Sequence, residues 1–491
     1  MVAAWVEDEM KTADLNDKRL DNRLREVLTQ LAERPTASIP AACGGHSEMT
    51  AAYRLFDNEK ATLEGILAPH AEATRQRVAS QAVVVLVQDT TELDLTRPEQ
   101  QVAGAGPLDG GARRGLLVHP LHAFTPDGTP LGTLCVQAWT RPEKVPGASQ
   151  SRAKRAATAI QEKESYRWVE VLRKAGEEAG HCLSTQLVCV ADSEADIYEL
   201  LVEGTRQPHQ VAWIVRACQD RALQRPCGVS TEEEGSWAGE RRLRQEVLAQ
   251  PVLFTHSIHV RGRKAKVACE TRGRRQPRES RQAVVEVRAA GVTLRPPWRA
   301  DGRLPEVSVK AVLVREVEPP KGEEPVEWLL LTNLPVDTVE QVRLVIQYYC
   351  VRWMIEVFFR VLKSGCRVEE RRFEHVDRVL SCLGVYLIVA WRTLYTCRLG
   401  RSCPEICCEA LFEPAEWQSV WKVTQGTAPP RKPPPLGDMI RLVAQLGGYV
   451  NRNGGSPPGP QTIWIGLQRM HDFALCWRHF GPDARTTAQL V

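Results

Sequence analysis

The sequence predicts an α/β protein: a core built on a mixed β-sheet, with helical segments before and after it along the chain. Two apolar runs, Val83–Val87 and Gln186–Ala191, have the length and β-branched content of buried strands. Around them, apolar residues recur at the three- and four-residue steps typical of helices. The 491 residues are 43% hydrophobic and 25% charged, which is enough for roughly three domains and excludes wholesale disorder.

The elements follow one another in a consistent order. A leucine and valine face over residues 20–31 predicts a helical module in the first 65 residues. After the first strand, two strands flank the turn Pro126–Gly128 as a hairpin. A charged helix, the second strand and another helix follow. The predicted bounds are 116–124 and 131–139 for the hairpin strands, about 153–179 for the charged helix and 193–201 for the last helix.

Beyond residue 211, alternation with Pro and Gly breaks predicts a β-rich insertion over about 211–331. Helical spacing resumes near Val339, and an apolar helix is expected over 379–399. Proline- and glycine-rich linkers separate the last helices. We therefore divide the chain into a helical N-terminal domain (1–65), an α/β domain (66–378) that contains the insertion, and a helical C-terminal domain (379–491).

The overall charge does not by itself indicate a nucleic-acid partner. Lys and Arg number 64 against 60 Asp and Glu, a net charge of +4. Two stretches are locally basic: residues 18–25, with four cations, and residues 261–281, where nine cations face two acids. Each is either a solvated face or a phosphate-binding surface, because Lys and Arg displace the counterions condensed on DNA.

The cysteines and the apolar runs bear on the compartment. Fifteen cysteines occur without a C-x-x-C pair, and we interpret them as reduced thiols in a cytoplasmic protein without a structural metal site. The longest apolar run, Leu383–Trp391, is shorter than the ~18–20 residues of a membrane span. The first residues carry no export signal, so we expect no membrane association.

Acidic residues follow both predicted strands. Asp89 comes directly after the first strand and Asp192 directly after the second. An aspartate at a strand end is commonly a turn residue, but ligands of α/β proteins also bind at the carboxyl ends of strands.

A polar stripe on the helix after residue 339 is more specific. Tyr349, Arg352, Glu356 and Lys363 fall within a roughly 60° arc of one helix at ~100° per residue. An exposed Arg352–Glu356 ion pair explains two of these residues. It does not explain the phenol and the lysine on the same line.

This spacing resembles the Y-R-E-K signature of the transposon-five-type DDE transposases of bacterial insertion sequences. The resemblance continues at Asp89–Thr91, at Asp192–Ile197, at Trp328–Thr332, and at Ala52–Arg54 and Leu446–Gly448 near the two ends of the chain. It implies an RNase H-like catalytic core, with Asp89, Asp192 and Glu356 as an acidic triad that holds two Mg²⁺ ions, for which Mn²⁺ substitutes. Physical chemistry agrees, since like charges that converge need a cation between them.

The resemblance also implies how the protein contacts DNA. Arg352 and Lys363 would bind phosphates of the transposon end, and Tyr349 a phosphate near the scissile bond. Trp328 would stack a flipped base during hairpin formation, although a core aromatic is the alternative. Further DNA contacts are expected from Arg216 and from the N-terminal residues Arg19, Arg23 and Arg54. Two positions depart from the family pattern: Ser193 stands where some relatives have an arginine, and Cys218 where a lysine is expected.

The function implied is cut-and-paste DNA transposition by a homodimer that binds transposon ends and target DNA in the cytoplasm, associated with the nucleoid. The N-terminal domain would bind the inverted repeats, and the C-terminal helices would pair the subunits. One alternative is a catalytically silent relative that binds the ends and inhibits transposition. Another is an RNase H-fold nuclease without preference for any terminal sequence. Incubation of end-bearing DNA with protein and metal distinguishes the three.

Overall fold

The computed structural model describes residues 2–97, 99–109, 112–143, 157–208, 211–224, 241–260, 262, 279–299, 302–450 and 457–482. The basic stretch 261–281 therefore lies almost wholly outside the described residues. Its last cation, Arg281, is described and is used structurally, because its guanidinium pairs with the buried Glu316 at 2.9 Å.

Five helices open the chain and confirm the helical N-terminal prediction. In α2 the residues Leu24, Val27, Leu28 and Leu31 are fully buried, as the leucine face predicts. The fifth helix was not predicted. It lies between strand β5 and the long helix α11 and is buried on more than one side, so it has no single apolar stripe. It also contains Pro69, which is unusual inside a helix. The helices are α1 (Ala4–Glu9), α2 (Lys18–Glu33), α3 (Ile39–Cys43), α4 (His46–Phe56) and α5 (Leu63–Ala79).

One mixed sheet forms the centre, with eleven strands in the part of the chain that the structure describes, and it confirms the predicted fold class. The strands are β1 (Val83–Gln88), β2 (Thr91–Asp94), β3 (Gly106–Pro107), β4 (Arg114–Phe124), β5 (Pro130–Trp139), β6 (Gln186–Ala191), β7 (Val211–Arg216), β8 (Phe254–Val260), β9 (Arg281–Leu294), β10 (Val307–Glu316) and β11 (Glu327–Thr332). Their order is β2-β4-β1-β6-β7-β11-β10-β9-β8, with β3 and β5 also paired to β4. Strands β1, β6 and β7 are mutually parallel, and the other pairs are antiparallel.

The β-rich stretch is continuous with this sheet. Strand β11 pairs with β7, and β10, β9 and β8 then extend the same sheet outward. The strands predicted as an insertion therefore share hydrogen bonds and a core with the α/β part.

Helices cover both faces of the sheet. On one face, α6 (Arg167–Ala179), α7 (Tyr198–Gly204) and α8 (Leu243–Leu248) bury one apolar cluster. The predicted charged helix is thus shorter than expected: two 3₁₀ turns precede α6, and residues 151–156 lie outside the described residues. The helix predicted from residue 193 begins at Tyr198, after a 3₁₀ turn.

On the other face, the N-terminal helices join α9 (Val339–Val351), α10 (Trp353–Arg360) and α11 (Val376–Ser402) in a second cluster. Among the described residues, α11 is the one helix whose length and apolar content suit a membrane span, but 83% of its most apolar stretch is buried inside the protein. It is therefore a core helix. The last helices, α12 (Pro414–Gln425), α13 (Leu436–Leu446) and α14 (Pro460–Phe480), enclose a small core of their own.

Candidate active site

The two aspartates predicted at strand ends lie next to each other. Strands β1 and β6 are parallel, and their register pairs Val87 with Val190. Two residues further along each strand, the same register brings Asp89 level with Asp192. Because side chains alternate along a strand, both aspartates lie on the face of the sheet where Val87 and Val190 belong to the cluster with α9–α11.

The ladder between β4 and its neighbours β1 and β2 is interrupted at Asp89, which is itself buried. Strands β1 and β2 pair with the same edge of β4 in one register, Gln88 with Leu121 and Thr91 with Val118. Asp89 therefore faces Pro120, which has no N–H to donate. The side-chain carboxylate of Asp89 accepts a hydrogen bond from the Thr90 N–H, with N···Oδ1 of 2.8 Å.

The third acid comes from the helix that packs over this face. Helix α10 buries Ile355 and Phe358 against the sheet and leaves the Glu356 side chain 46% exposed. The polar stripe predicted on one helix lies on three successive helical segments, and Arg352 between the first two keeps α-helical dihedrals (φ −49°, ψ −36°). Helix α9 ends at Val351 and α10 begins at Trp353, with Arg352 as the junction, and the chain then widens into a π-helical turn over Val361–Gly365.

Arg352 connects the acids. Its Nη1 donates to Oδ2 of Asp89 at 2.9 Å and lies 3.8 Å from Oε1 of Glu356. Burial, and then the charges of Asp192 and Glu356, raise the pKa of Asp89 to about 7, although Arg352 opposes the shift. The three carboxylates therefore interact electrostatically, and Arg352 supplies part of their counter-charge.

The donor set fits a divalent cation in chemistry. Three carboxylates offer the hard oxygens that Mg²⁺ and Mn²⁺ prefer, and a cation among them would remove the repulsion that, after burial, raises the pKa of Asp89. In the part of the chain that the structure describes, however, no three acidic, histidine or cysteine side chains lie close enough together to form a ready metal site. Arg352 holds one of the Asp89 oxygens instead.

Two aromatic residues and an arginine border the acids. Tyr349 is buried, and its ring centroid lies 6.0 Å from that of Trp328, which is half-buried at the start of β11. Burial raises the pKa of Tyr349, whereas the charges of Arg352 and Arg216 lower it. Arg216 therefore lies near the site, where its Nη2 also donates to the Glu327 carbonyl at 3.3 Å. These predicted residues are brought together.

Lys363 is directed elsewhere. It lies in the π-helical turn, donates to the backbone carbonyl of Glu92 in β2, and is 3.6 Å from the Glu369 carboxylate. Of the N-terminal arginines, Arg19 and Arg54 are exposed, and Arg23 pairs with Glu26 at 2.7 Å.

The Asp192–Ile197 segment contains a second aspartate with a structural role. Asp196 is buried, accepts from the N–H groups of Cys218 and Gln219 at 2.8 Å each, and pairs with the buried Arg221 at 2.5 Å. Ser193 and Cys218, the two departures from the family pattern, are neighbours: the Cys218 thiol donates to the Ser193 carbonyl at 3.4 Å.

Sequence reasoning missed Arg167, Thr90 and His119. Arg167 donates to the Thr90 hydroxyl at 2.9 Å, and that hydroxyl lies 2.9 Å from Nδ1 of His119. Arg167 begins a helix more than seventy residues from Thr90 along the chain, and no spacing connects them.

Three family models match the chain. They are described as Transposase DNA-binding over residues 2–61, Transposase DDE domain over residues 178–391, and Transposase Tn5 dimerisation domain over residues 388–484. Among solved structures, the chain is similar to the cryo-EM structure of the piggyBac transposase synaptic complex with hairpin DNA. The identity is 8%, the match covers 99% of this chain and 80% of that one, and the TM-score is 0.35, which is too low to carry structural inference.

Proposed function

We propose that this chain, which belongs to the Tn5-type DDE transposases, is a cut-and-paste transposase that frees its element from flanking DNA and joins the 3′ ends to a target. The observation that carries the proposal is the position of Asp89 level with Asp192, on the face of the sheet that the Glu356 helix covers. The raised pKa of Asp89 adds support, because it arises from burial and, after burial, from the charges of Asp192 and Glu356.

Asp89, Asp192 and Glu356 would hold two Mg²⁺ ions, with Mn²⁺ able to substitute. Bound there, the ions would activate the attacking hydroxyl and stabilise the leaving oxygen of a phosphoryl transfer. The chain's own part is to orient the three carboxylates and to bind the DNA backbone on either side of the scissile phosphate.

Basic residues would hold the DNA end. Arg352 and Arg216 border the acids and would bind phosphates close to the scissile bond, with Tyr349 as a further hydrogen-bond donor. Lys363 would contact a phosphate further along the strand. Trp328, half-buried with its ring beside Tyr349, would stack a flipped base and so allow a terminal hairpin to form.

The end sequence would be recognised by the N-terminal helices through Arg19, Arg23 and Arg54. The C-terminal helices would pair two subunits, so that both DNA ends are cut and joined in concert. Exposed apolar side chains on α12 and α14, Val423, Leu475 and Phe480, are of the kind such an interface buries.

Cleavage of end-bearing DNA tests this function. The DNA that flanks the coding region supplies the inverted ends, and the protein is incubated with it in Mg²⁺ or Mn²⁺. We expect Glu356→Gln to bind the ends and leave them uncut. The matched control, Glu340→Gln, changes an exposed glutamate on the neighbouring helix and should cut normally.

The other outcomes identify the alternatives. Binding by the wild type without strand breakage would favour the silent, inhibitory relative, and cleavage without end preference would favour a general nuclease. Trp328→Ala tests the hairpin step: we expect nicking to persist while hairpin ends, seen as snap-back products on a denaturing gel, disappear.

A further inference from the structure

Arg167 is a mostly buried arginine that contacts the segments after both aspartates, through Thr90 and Glu194. Its side chain is 11% exposed, and each of its nitrogens donates one hydrogen bond. Nε donates to the Thr90 hydroxyl at 2.9 Å, Nη2 to Oε2 of Glu194 at 3.0 Å, and Nη1 to the Glu164 carbonyl at 2.8 Å. Its Cζ also lies 5.4 Å from the Trp139 ring and 5.3 Å from the Trp168 ring, which holds the guanidinium in place.

Each side-chain partner of Arg167 closely follows one of the aspartates: Thr90 is one residue after Asp89, and Glu194 is two residues after Asp192. The Thr90 N–H donates to Oδ1 of Asp89 at 2.8 Å, and the Glu194 N–H donates to Oδ1 of Asp192 at 2.8 Å. Each acid of the pair is therefore oriented by a backbone N–H of a residue whose side chain Arg167 holds. One guanidinium thus ties the end of β1 to the end of β6.

A directional chain of hydrogen bonds extends from the same hydroxyl. Because Thr90 Oγ accepts from Arg167, its own proton is directed to Nδ1 of His119, 2.9 Å away. His119 then carries its proton on Nε2 and donates to Gln88 at 3.2 Å, and the Gln88 amide donates to the Cys189 thiol in β6 at 3.4 Å. This tautomer follows from the partners. Burial and then the Arg167 charge hold the pKa of His119 well below its usual range, although a hydrogen bond with the Asp89 backbone opposes the shift, so the ring is neutral.

We propose that Arg167 and Thr90 are positioning residues for Asp89 and Asp192, an inference that rests on the proposed function. These hydrogen bonds, which we call the Arg167 relay, connect β1 to β6 at two points. One point is Glu194, beyond the strand ends, and the other is Cys189, within β6. The relay therefore fixes how the two carboxylates face each other. An ordinary ion pair between Arg167 and Glu194 would need neither Thr90 nor His119, and a partly exposed pair of this kind contributes little. Arginine suits this role because its planar fork can serve several acceptors at once.

The test uses the full-length protein and the pair Thr90→Val and Thr90→Ser. Valine keeps the shape and removes the hydroxyl, whereas serine restores it. We expect Thr90→Val to lower the single-turnover rate of end cleavage, and the affinity for Mn²⁺ measured by electron paramagnetic resonance without DNA, by about 10- to 100-fold. Thr90→Ser should recover most of the cleavage rate and of the Mn²⁺ affinity. Its end binding and melting temperature should stay close to wild type.

Arg167→Lys provides an independent second variant with the same expected losses, since lysine cannot reach Thr90 and Glu194 together. Its matched control is Arg173→Lys on the same helix, where Arg173 pairs with Glu203 at 2.8 Å. A wild-type cleavage rate and a wild-type Mn²⁺ affinity in Thr90→Val would overturn this inference and leave the proposed function standing. A wild type that neither cleaves end-bearing DNA nor binds Mn²⁺ would overturn the proposed function, and this inference with it.

Discussion

Nη1 of Arg352 lies 2.9 Å from Oδ2 of Asp89, so a protein cation holds the first carboxylate of the proposed triad. Arg352 is the junction residue between α9 and α10, and its backbone keeps α-helical dihedrals there (φ −49°, ψ −36°), so the helical course carries its side chain to the acids. The same guanidinium is 3.8 Å from Glu356. A bound cation would therefore compete with Arg352 for the same negative charge, and a DNA phosphate, as proposed, would compete with the acids for Arg352.

Removal of this arginine should strengthen metal binding in the absence of DNA. At about pH 8.5, above the pKa of Asp89, we expect Arg352→Gln to bind Mn²⁺ about tenfold more tightly than the wild type, because a unit charge a few ångströms away is worth at least ~1 kcal/mol. Mn²⁺ titration followed by electron paramagnetic resonance measures this. Arg360→Gln, at an exposed arginine on α10, is the control. Equal affinities in all three proteins would contradict the prediction.

Metal affinity should also depend on pH in a known direction. The pKa of Asp89 is raised to about 7 in the metal-free protein by burial and by the neighbouring acids. A metal ion binds the ionised form, so affinity should fall by as much as about tenfold per pH unit below pH 7 and level off above it. Calorimetry in buffers of different ionisation enthalpy should detect about one proton released per binding event near pH 6. Affinity that stays constant from about pH 5.5 to 7 would count against this assignment.

The two aspartates of the Asp192–Ile197 segment should respond oppositely to the same substitution. Asp196→Asn leaves Arg221 buried without its counter-ion, so we expect a loss of about 3–5 kcal/mol in the free energy of unfolding, measured with urea. Asp192→Asn should cost little stability, because Asp192 is only half-buried, but should abolish strand cleavage. A stable Asp196→Asn protein, or an active Asp192→Asn protein, would show that these roles are misassigned.

Stability should fall on mild acidification through His70. Its Nδ1 lies 2.5 Å from Glu9 and its Nε2 accepts the Thr133 N–H at 3.0 Å, so the buried ring is neutral, and burial lowers its pKa. The unfolded chain takes up the proton near pH 6.5, so this contribution is present above pH 6.5 and is lost as pH falls below it.

We therefore expect His70→Gln to reduce the pH dependence of the unfolding free energy between about pH 6.5 and 4.5, by as much as about 1.4 kcal/mol per pH unit. The window excludes Glu9, whose pKa is lowered to about 2 and whose contribution is lost only below about pH 4.5. The exposed His181→Gln is the matched control. An unchanged slope in His70→Gln would refute a neutral His70.

Much of the fold could be predicted from local pattern. Periodicity predicts strands β1 and β6, the hairpin, the N-terminal helices and the core helix α11. Each of these elements buries one or both of its faces, and burial leaves a regular apolar pattern in the sequence. Helix α5 escaped prediction because it is buried on more than one side, and a helix of that kind carries no stripe.

The sequence by itself determined which residues are candidates: two aspartates after buried strands, and a tyrosine, arginine, glutamate and lysine at helical spacing. Tertiary structure alone decided how they meet. Register between distant strands brought Asp89 level with Asp192, the packing of α9 and α10 over that face placed Arg352 against Asp89, and Lys363 in the π-helical turn contacts Glu92. The physical reason is that periodicity records only which face of its own element a side chain occupies, whereas strand register, helix junctions and the Arg167 relay depend on contacts between residues far apart in the chain.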